Sequence, residues 1–155
     1  MLVNGSCLCG TVTFQLVGEL PPIYQCHCSL CRKVSGSSSN SALLIQSANF
    51  NWHSGKDQIK SFVTPTGFKS DFCSNCGSPL PNISTDGQTY WVPAGLLSEP
   101  VNTQVAAHVY VDSHANWDTA FLNDTVAKYA QMPSGEEWSL LCRQHTHNKL
   151  LNRDS

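Results

Sequence analysis

The sequence predicts a mainly β fold in a single domain. Short stretches alternate apolar and polar residues with the period of two that strands require, and turn-forming residues separate these stretches. The chain has 155 residues, of which 41% are hydrophobic, so it can bury a core and is neither disordered nor fibrous. No internal repeat is visible. We expect one domain over residues 1–135 and a polar C-terminal tail over residues 136–155.

The predicted strands follow one another along most of the chain. Residues 11–17 show the clearest alternation of apolar and polar side chains. The other strand candidates are residues 23–26, 42–45, 50–52, 59–63, 68–72, 89–92 and 106–111. A segment with a proline and a glycine, residues 64–67, joins two of them.

One short helix is predicted near the C-terminus, over residues 124–131. Val126 and Tyr129 lie three positions apart, and a polar pair at the start can cap the first turn. Residues 133–135, which include proline and glycine, are expected to end this helix. The polar segment from Gln144 onward is expected to fray.

The charge balance and the targeting signals limit which partners and which cellular compartment we expect. The 9 basic and 11 acidic residues give a net charge of −2, so nothing favours binding to nucleic-acid phosphates. No apolar run approaches the roughly 20 residues of a membrane span, and the N-terminus lacks the basic and apolar regions of a signal peptide. We therefore expect a cytoplasmic protein without a nucleic-acid or membrane partner. In a reducing compartment, its eight cysteines point to metal or redox chemistry rather than to disulfides.

Seven of the eight cysteines fall into three clusters with metal-ligand spacing. They are Cys7 and Cys9, then Cys26, Cys28 and Cys31, then Cys73 and Cys76. A Cys-x-Cys pair in a strand presents both sulfur atoms on one side. A Cys-x-x-Cys turn directs two sulfur atoms to one point, and Gly77 after the last cluster allows a sharp turn. Zinc takes four such ligands in a tetrahedron.

Seven thiols divide most naturally into four and three. Cys26, Cys28 and Cys31 come from one stretch and can reach a single metal unaided. Cys7, Cys9, Cys73 and Cys76 then form the complementary four. A closed four-cysteine site is typical of structural zinc, whereas three protein ligands with an open position are typical of catalytic zinc. The candidate catalytic residues are therefore Cys26, Cys28 and Cys31.

Other interpretations of these residues stay open. The cysteines could form disulfides, or one zinc ribbon could coexist with ordinary buried thiols. His27 could complete the three-cysteine site, although alternation along an extended segment favours a structural role for it. Cys142 is either an ordinary thiol or a redox partner. Arg32 and Lys33 either hold an anionic substrate near the metal or are solvated, and His108 is expected to pack within its strand.

The cysteine clusters and their neighbours resemble the glutathione-dependent formaldehyde-activating enzyme family, which includes the centromere protein V-like proteins. The resemblance covers roughly residues 5–130 and rests on five motifs. They are GSCLCGTV at 5–12, CHCSLCRKVSG at 26–36, FCSNCGSPL at 72–80, HVYVDS at 108–113 and NW at 116–117. Two features depart from the family pattern: polar residues 37–40 stand where a bulky apolar residue is common, and the basic residue expected just before Phe72 is displaced to Lys69.

The resemblance implies a fold, a cofactor and an activity. The fold is a zinc-pinned β-tent of short antiparallel sheets. The first and third cysteine motifs imply the structural zinc, and the motif at 26–31 implies the second zinc. The activity implied is carbon–sulfur lyase chemistry that joins formaldehyde and glutathione into S-hydroxymethylglutathione, so the expected partner is a small-molecule thiol such as glutathione. A homodimer is a further possibility.

Two other functions compete with this interpretation. A closed zinc site can serve as the scaffold of a non-catalytic binding module, and nothing in the sequence marks a general acid or base. A methionine sulfoxide reductase-like enzyme is the other alternative, with Cys142 as its redox thiol. That enzyme needs a cysteine of low pKa beside a pocket.

Overall fold

The computed structural model describes residues 1–98 and 100–151. The described residues are mainly strands, with short antiparallel sheets and a C-terminal helix, which confirms the predicted fold class. In chain order the strands are β1 (Leu2–Ser6), β2 (Thr13–Val17), β3 (Ile23–Cys26), β4 (Asn40–Gln46), β5 (Phe50–Ser54), β6 (Ile59–Val63), β7 (Lys69–Cys73), β8 (Asn82–Ile83), β9 (Thr89–Pro93), β10 (Val105–Val109) and β11 (Ala127–Tyr129), and the helices are α1 (Ser29–Ser35) and α2 (Gly135–Leu151). Among these residues, neither helix is long and apolar enough to cross a membrane.

The chain divides into two compact units, each made from two separate stretches. The first unit comprises residues 1–20 and 42–102, and the second comprises residues 21–41 and the chain from Thr103 onward. This division concerns the packing of the described residues. The expected boundary between a domain at 1–135 and a tail at 136–155 stays a prediction.

Antiparallel pairing builds the first unit. Strands β1, β2 and β5 form one sheet, β6 and β7 form a hairpin, and β9 pairs with both β4 and β8. Alternation along β2 buries Phe14 and Leu16, as the sequence period predicts. Phe14 stacks on Phe50, whose ring in turn stacks on Tyr90 at 3.9 Å. Gly5 lies opposite Phe14 in the register, and a Cβ there would overlap the Phe14 ring.

Parallel pairing builds the second unit, which differs from the antiparallel sheets expected throughout. Strand β10 pairs in parallel with β3 on one side and β11 on the other. The register places Val109 opposite Cys26 and His108 opposite Lys128. A parallel connection needs about a dozen residues or more, and residues 110–126 supply them between β10 and β11.

The prediction of a helix over residues 124–131 is wrong. Residues 127–129 form β11, and the side chain of Asp124 accepts a hydrogen bond from the Val126 amide at 3.0 Å instead of capping a helix. Pairing with β10 outweighs the weak helical pattern, since a short isolated helix is marginal in water.

The helical segment lies further along the chain, in α2. Ser134 Oγ accepts a hydrogen bond from the Glu137 amide, and Glu137 Oε2 accepts one from the Ser134 amide. This reciprocal pair is a capping box, so residues 133–135 begin a helix rather than end one. The segment from Gln144, expected to fray, is helical as far as Leu151.

Candidate metal centres

The four cysteines expected to act together converge in the first unit. The sulfur atoms of Cys7, Cys9, Cys73 and Cys76 all lie within 4.8 Å of one another. The sulfur of Cys9 is 3.5 Å from that of Cys7 and 3.9 Å from that of Cys73. Four ligands at about 2.3 Å around a tetrahedral zinc have sulfur–sulfur separations of about 3.8 Å. The donor set and its spacing therefore fit zinc.

Two similar turns position these sulfur atoms. After β1, the amide of Gly10 donates to the carbonyl of Cys7 at 3.0 Å, and Gly10 has φ +75°. At the end of β7, the amide of Gly77 donates to the carbonyl of Cys73 at 2.8 Å, and Gly77 also has φ +75°. Glycine adopts this left-handed conformation without steric cost. Each cysteine pair therefore lies on a tight turn that glycine permits.

Two members of the four-cysteine group are buried in the hydrophobic core. Cys7 and Cys73 are buried in one cluster with Val12 and Leu80, and Trp52 packs against that cluster. Cys9, by contrast, is exposed. Two ligands anchored in the core and a closed set of four donors are the features of a structural site.

Hydrogen bonds favour the thiolate form of Cys9 and Cys76, whereas burial and the thiols of Cys76 and Cys7 raise the pKa of Cys73 to about 11. The hydroxyl and amide of Thr11 lower the pKa of Cys9 to about 5. The hydroxyl and amide of Ser78 lower the pKa of Cys76 to about 7. Since metal ligation requires deprotonated thiols, these contacts favour the ligating form of Cys9 and Cys76.

The three cysteines of the second cluster converge in the second unit. Cys26 ends β3, Cys28 is the N-cap of α1, and Cys31 lies in the first turn of that helix. Their sulfur atoms lie within 4.8 Å of one another. The change from strand to helix folds the three side chains together, and the amide of Cys31 donates to Cys28 Sγ at 3.4 Å. Within the described chain, no further cysteine, histidine or acidic side chain joins this donor group.

Burial and charge differ among these three thiols. A hydrogen bond from Cys31 lowers the pKa of Cys26 to about 6, against the opposing effect of burial. The same contact, together with burial, raises the pKa of Cys31. Cys26 and Cys31 are buried, whereas Cys28 is half-buried. The lowered pKa of Cys26 favours its thiolate form. The group fits zinc by its donor chemistry and meets solvent on the side of Cys28.

The remaining cysteine does not have the properties of a redox thiol. Cys142 lies on α2, and burial raises its pKa despite the neighbouring Arg143. A reactive cysteine requires the opposite shift. All eight cysteines are unbridged thiols in the structure.

His27 does not join the sulfur atoms on either side of it. Its ring is buried and stacks on Phe121, with ring centroids 4.1 Å apart. Nε2 lies 2.9 Å from His108 Nδ1, and Nδ1 lies 3.4 Å from Asp118 Oδ2. Burial lowers the pKa of His27, and His108 adds to this effect while Asp118 opposes it. Both ring nitrogens therefore face other partners than a metal bound by the cysteines.

Asp124, Asp118 and Phe121 are site residues that sequence reasoning missed. His108, expected to pack within its strand, is buried, and its Nε2 lies 2.9 Å from Asp124 Oδ2. Asp124 also accepts a hydrogen bond from Lys128 at 2.8 Å. All three missed residues lie on the connection between β10 and β11. No spacing pattern links that connection to the cysteine motif.

Arg32 and Lys33 have different surroundings. Arg32 Nε donates to the carbonyl of His27 at 3.2 Å, and Nη2 donates to the carbonyl of Ser113 at 3.2 Å. Lys33 is exposed. Arg32 thus acts as a clamp between two backbone segments, which leaves Lys33 as the residue of this pair that extends into solvent.

Comparison with known proteins decides the family. The model of the glutathione-dependent formaldehyde-activating enzyme family matches residues 2–113, which include all seven clustered cysteines. The chain belongs to this family. A protein of Halomonas elongata that carries the same enzyme name provisionally is 34% identical over 87 residues. That match covers 52% of this chain and 55% of the relative, so the chain spans about half the length of the curated protein it matches.

A solved structure shares the fold of this family member. The crystal structure of a Rhodobacter sphaeroides protein superposes with a TM-score of 0.53 and is 19% identical in sequence. The match covers 81% of this chain and 98% of that chain. At this level of identity, the likeness concerns the fold.

Proposed function

We propose that this protein is a zinc-dependent carbon–sulfur lyase that acts on a thiol–aldehyde adduct. The pair of substrates that the family name suggests is glutathione and formaldehyde, which combine to S-hydroxymethylglutathione. In the addition, the thiol sulfur forms a bond to the aldehyde carbon, and the thiol proton ends on the oxygen that becomes a hydroxyl. The reverse reaction breaks the same carbon–sulfur bond, and neither direction needs an oxidant or a reductant.

The observation that carries this proposal is the convergence of three sulfur atoms, with no fourth protein donor among the residues that the structure describes. Cys26, Cys28 and Cys31 would hold a zinc ion whose remaining position is available to substrate. When bound there, zinc supplies a positive charge that lowers the pKa of a substrate thiol or polarises an aldehyde oxygen. The four-cysteine group of Cys7, Cys9, Cys73 and Cys76 would hold a structural zinc.

The protein's own residues contribute position and charge. Three thiolates around a divalent cation leave a net charge of −1, so holding the two reactants close together contributes more than polarising the aldehyde. Cys28, the half-buried ligand, lies on the side by which a small thiol can approach. Lys33 lies two residues after Cys31 and is exposed, so it is our candidate for binding a carboxylate of the substrate. We place this chemistry in the cytoplasm, where thiols stay reduced.

The test is the rate of exchange between formaldehyde and its glutathione adduct, followed by NMR on protein that contains two zinc ions per chain. We expect the protein to accelerate exchange above the buffer rate, Cys28→Ser to abolish the acceleration, and Cys142→Ser to retain it. Cys142→Ser is the matched control because it removes a half-buried thiol that lies outside both groups. A fully loaded protein that leaves the exchange rate unchanged would instead favour a zinc-stabilised binding module without catalysis.

A further inference from the structure

A chain of polar contacts with two buried histidines at its centre runs from the cysteine motif to the connection before β11. It begins at Asp118, passes through the rings of His27 and His108, and ends at Asp124, which also binds Lys128. His27 and His108 are 1% and 2% exposed. Buried imidazoles with polar partners on both sides have little freedom to reorient.

The direction of these hydrogen bonds follows from the carboxylate at the end of the chain. Hydrogen bonds from Lys128 and His108 keep the pKa of Asp124 at about 2, so its carboxylate can only accept. A neutral His108 therefore carries its proton on Nε2 and accepts at Nδ1. His27 in turn carries its proton on Nε2 and donates it to His108. The bond between the rings and the Asp124 carboxylate together set the tautomer of each ring, and His27 Nδ1 then faces Asp118 Oδ2 at 3.4 Å as an acceptor, without a hydrogen bond between the two atoms.

The backbone of His27 is held as firmly as its ring. Its amide donates to the carbonyl of Val109 at 3.0 Å, and its carbonyl accepts from Arg32 Nε at 3.2 Å. Phe121 covers the ring face. His27 is the residue between Cys26 and Cys28, so any rotation of its backbone would move both neighbouring sulfur atoms.

We propose that His27 and His108 are positioning residues for the three-cysteine site: their hydrogen bond holds the backbone between Cys26 and Cys28 in the conformation that brings the sulfur atoms together. This inference rests on the proposed function, because it assumes that the three cysteines bind zinc. Neither histidine ligates the metal in this arrangement. The groups that support a metal's ligands commonly affect its affinity by about 10- to 100-fold.

Substitutions of His27 should have different effects if this residue merely fills space than if it positions the ligands. His27→Phe keeps an aromatic ring against Phe121 but cannot donate to His108. His27→Gln keeps a donor near the position of Nε2, so it should restore the contact. His145→Phe is the matched control, since His145 is also buried in the second unit and contacts the Thr103 hydroxyl at 3.3 Å.

The experiment measures zinc per chain in the full-length protein after equilibration with increasing concentrations of a soluble chelator. We expect two steps of zinc loss in the unmodified protein, and Cys28→Ser identifies the step that belongs to Cys26, Cys28 and Cys31. His27→Phe should move that step to a chelator concentration about 10- to 100-fold lower and leave the four-cysteine step in place. His27→Gln should return it close to the original position, and His145→Phe should move neither step.

Different results separate the two hypotheses. If the unmodified protein binds no zinc at Cys26, Cys28 and Cys31, the proposed function fails and this inference fails with it. If it does bind zinc there and His27→Phe leaves the step unchanged, only the positioning role is wrong. Equal displacement of both steps, or a His27→Gln protein that behaves like His27→Phe, would also overturn the role of the hydrogen bond.

Discussion

The sulfur atoms of Cys9 and Cys73 lie 3.9 Å apart although the two residues are 64 positions apart in the sequence. A metal bound here would close a long loop of the chain, and its binding free energy would add to that of folding. The two sulfur groups should therefore differ in what their loss does to stability.

We expect Cys73→Ser to destabilise the protein strongly. The variant removes a fully buried thiol of the four-cysteine group. If that group holds the structural zinc that we propose, its loss belongs to the few changes that cost about 4 kcal/mol or more. For a chain of this size, 4 kcal/mol corresponds to a fall in Tm of about 8–16 °C. Calorimetry of Cys73→Ser beside Cys28→Ser provides the measurement. Equal falls in Tm for the two variants would contradict the division into structural and catalytic groups.

We expect Cys28→Ser to reduce the zinc content from two ions per chain to one. Cys28 is half-buried and lies outside the packed cluster that contains Cys7 and Cys73, so the fold should survive. Elemental analysis of protein purified without chelator measures the metal, and circular dichroism reports the fold. A variant that still holds two zinc ions would show that Cys28 is not a ligand.

Gly5→Ala should destabilise the first unit. A Cβ at Gly5 overlaps the ring of Phe14, and overpacking of a core typically costs about 1–3 kcal/mol. Gly95→Ala is the control, because a Cβ there meets nothing within 4 Å. Urea denaturation should therefore separate the two variants by a clear difference in midpoint. Similar midpoints would mean that the Phe14 ring moves aside at little cost.

Asp124→Asn should lower the stability by an amount that stays constant between pH 8 and pH 5.5. Lys128 and His108 hold the pKa of Asp124 at about 2 in the folded chain, below the value of about 3.9 for an unfolded aspartate. A lowered pKa contributes stability that is complete above the unfolded value and is lost as the pH falls through the folded value. The difference in Tm between the unmodified protein and Asp124→Asn, measured across this pH range, reports the lost stability. A difference that shrinks between pH 7 and pH 5.5 would assign the effect to another titrating group.

The two cysteine pairs and the three-cysteine motif could be predicted from the sequence because the geometry within each is local, whereas the meeting of Cys9 with Cys73 was inferred only from the need for four ligands. A Cys-x-Cys or Cys-x-x-Cys pair is brought together by one strand end or one turn, whatever the rest of the fold does. Alternation likewise predicted β2, since Phe14 and Leu16 face the core. These patterns depend on neighbours within a few residues, which a single sequence displays directly.

The histidine chain could not be predicted in this way, because it depends on pairing between distant strands. His27 reaches His108 only because β3 and β10 run in parallel with Val109 opposite Cys26. The same register, continued to β11, overrides the helix expected at residues 124–131. The start of α2 was, by contrast, present as a Ser-x-x-Glu signal at 134–137, and the adjacent proline and glycine concealed it.

The two sulfur groups also differ in when the growing chain can complete them. Cys26, Cys28 and Cys31 lie within one segment of six residues, so they leave the ribosome almost together. Cys7 and Cys9 must wait until Cys73 and Cys76 have been made. At about 5–20 residues per second, that wait lasts several seconds, during which the nascent chain carries all three thiols of one group but only two of the four thiols of the other. Synthesis therefore supplies the ligands of the candidate catalytic centre before those of the candidate structural one, whereas His108 and Val109, which hold the backbone of His27, follow both.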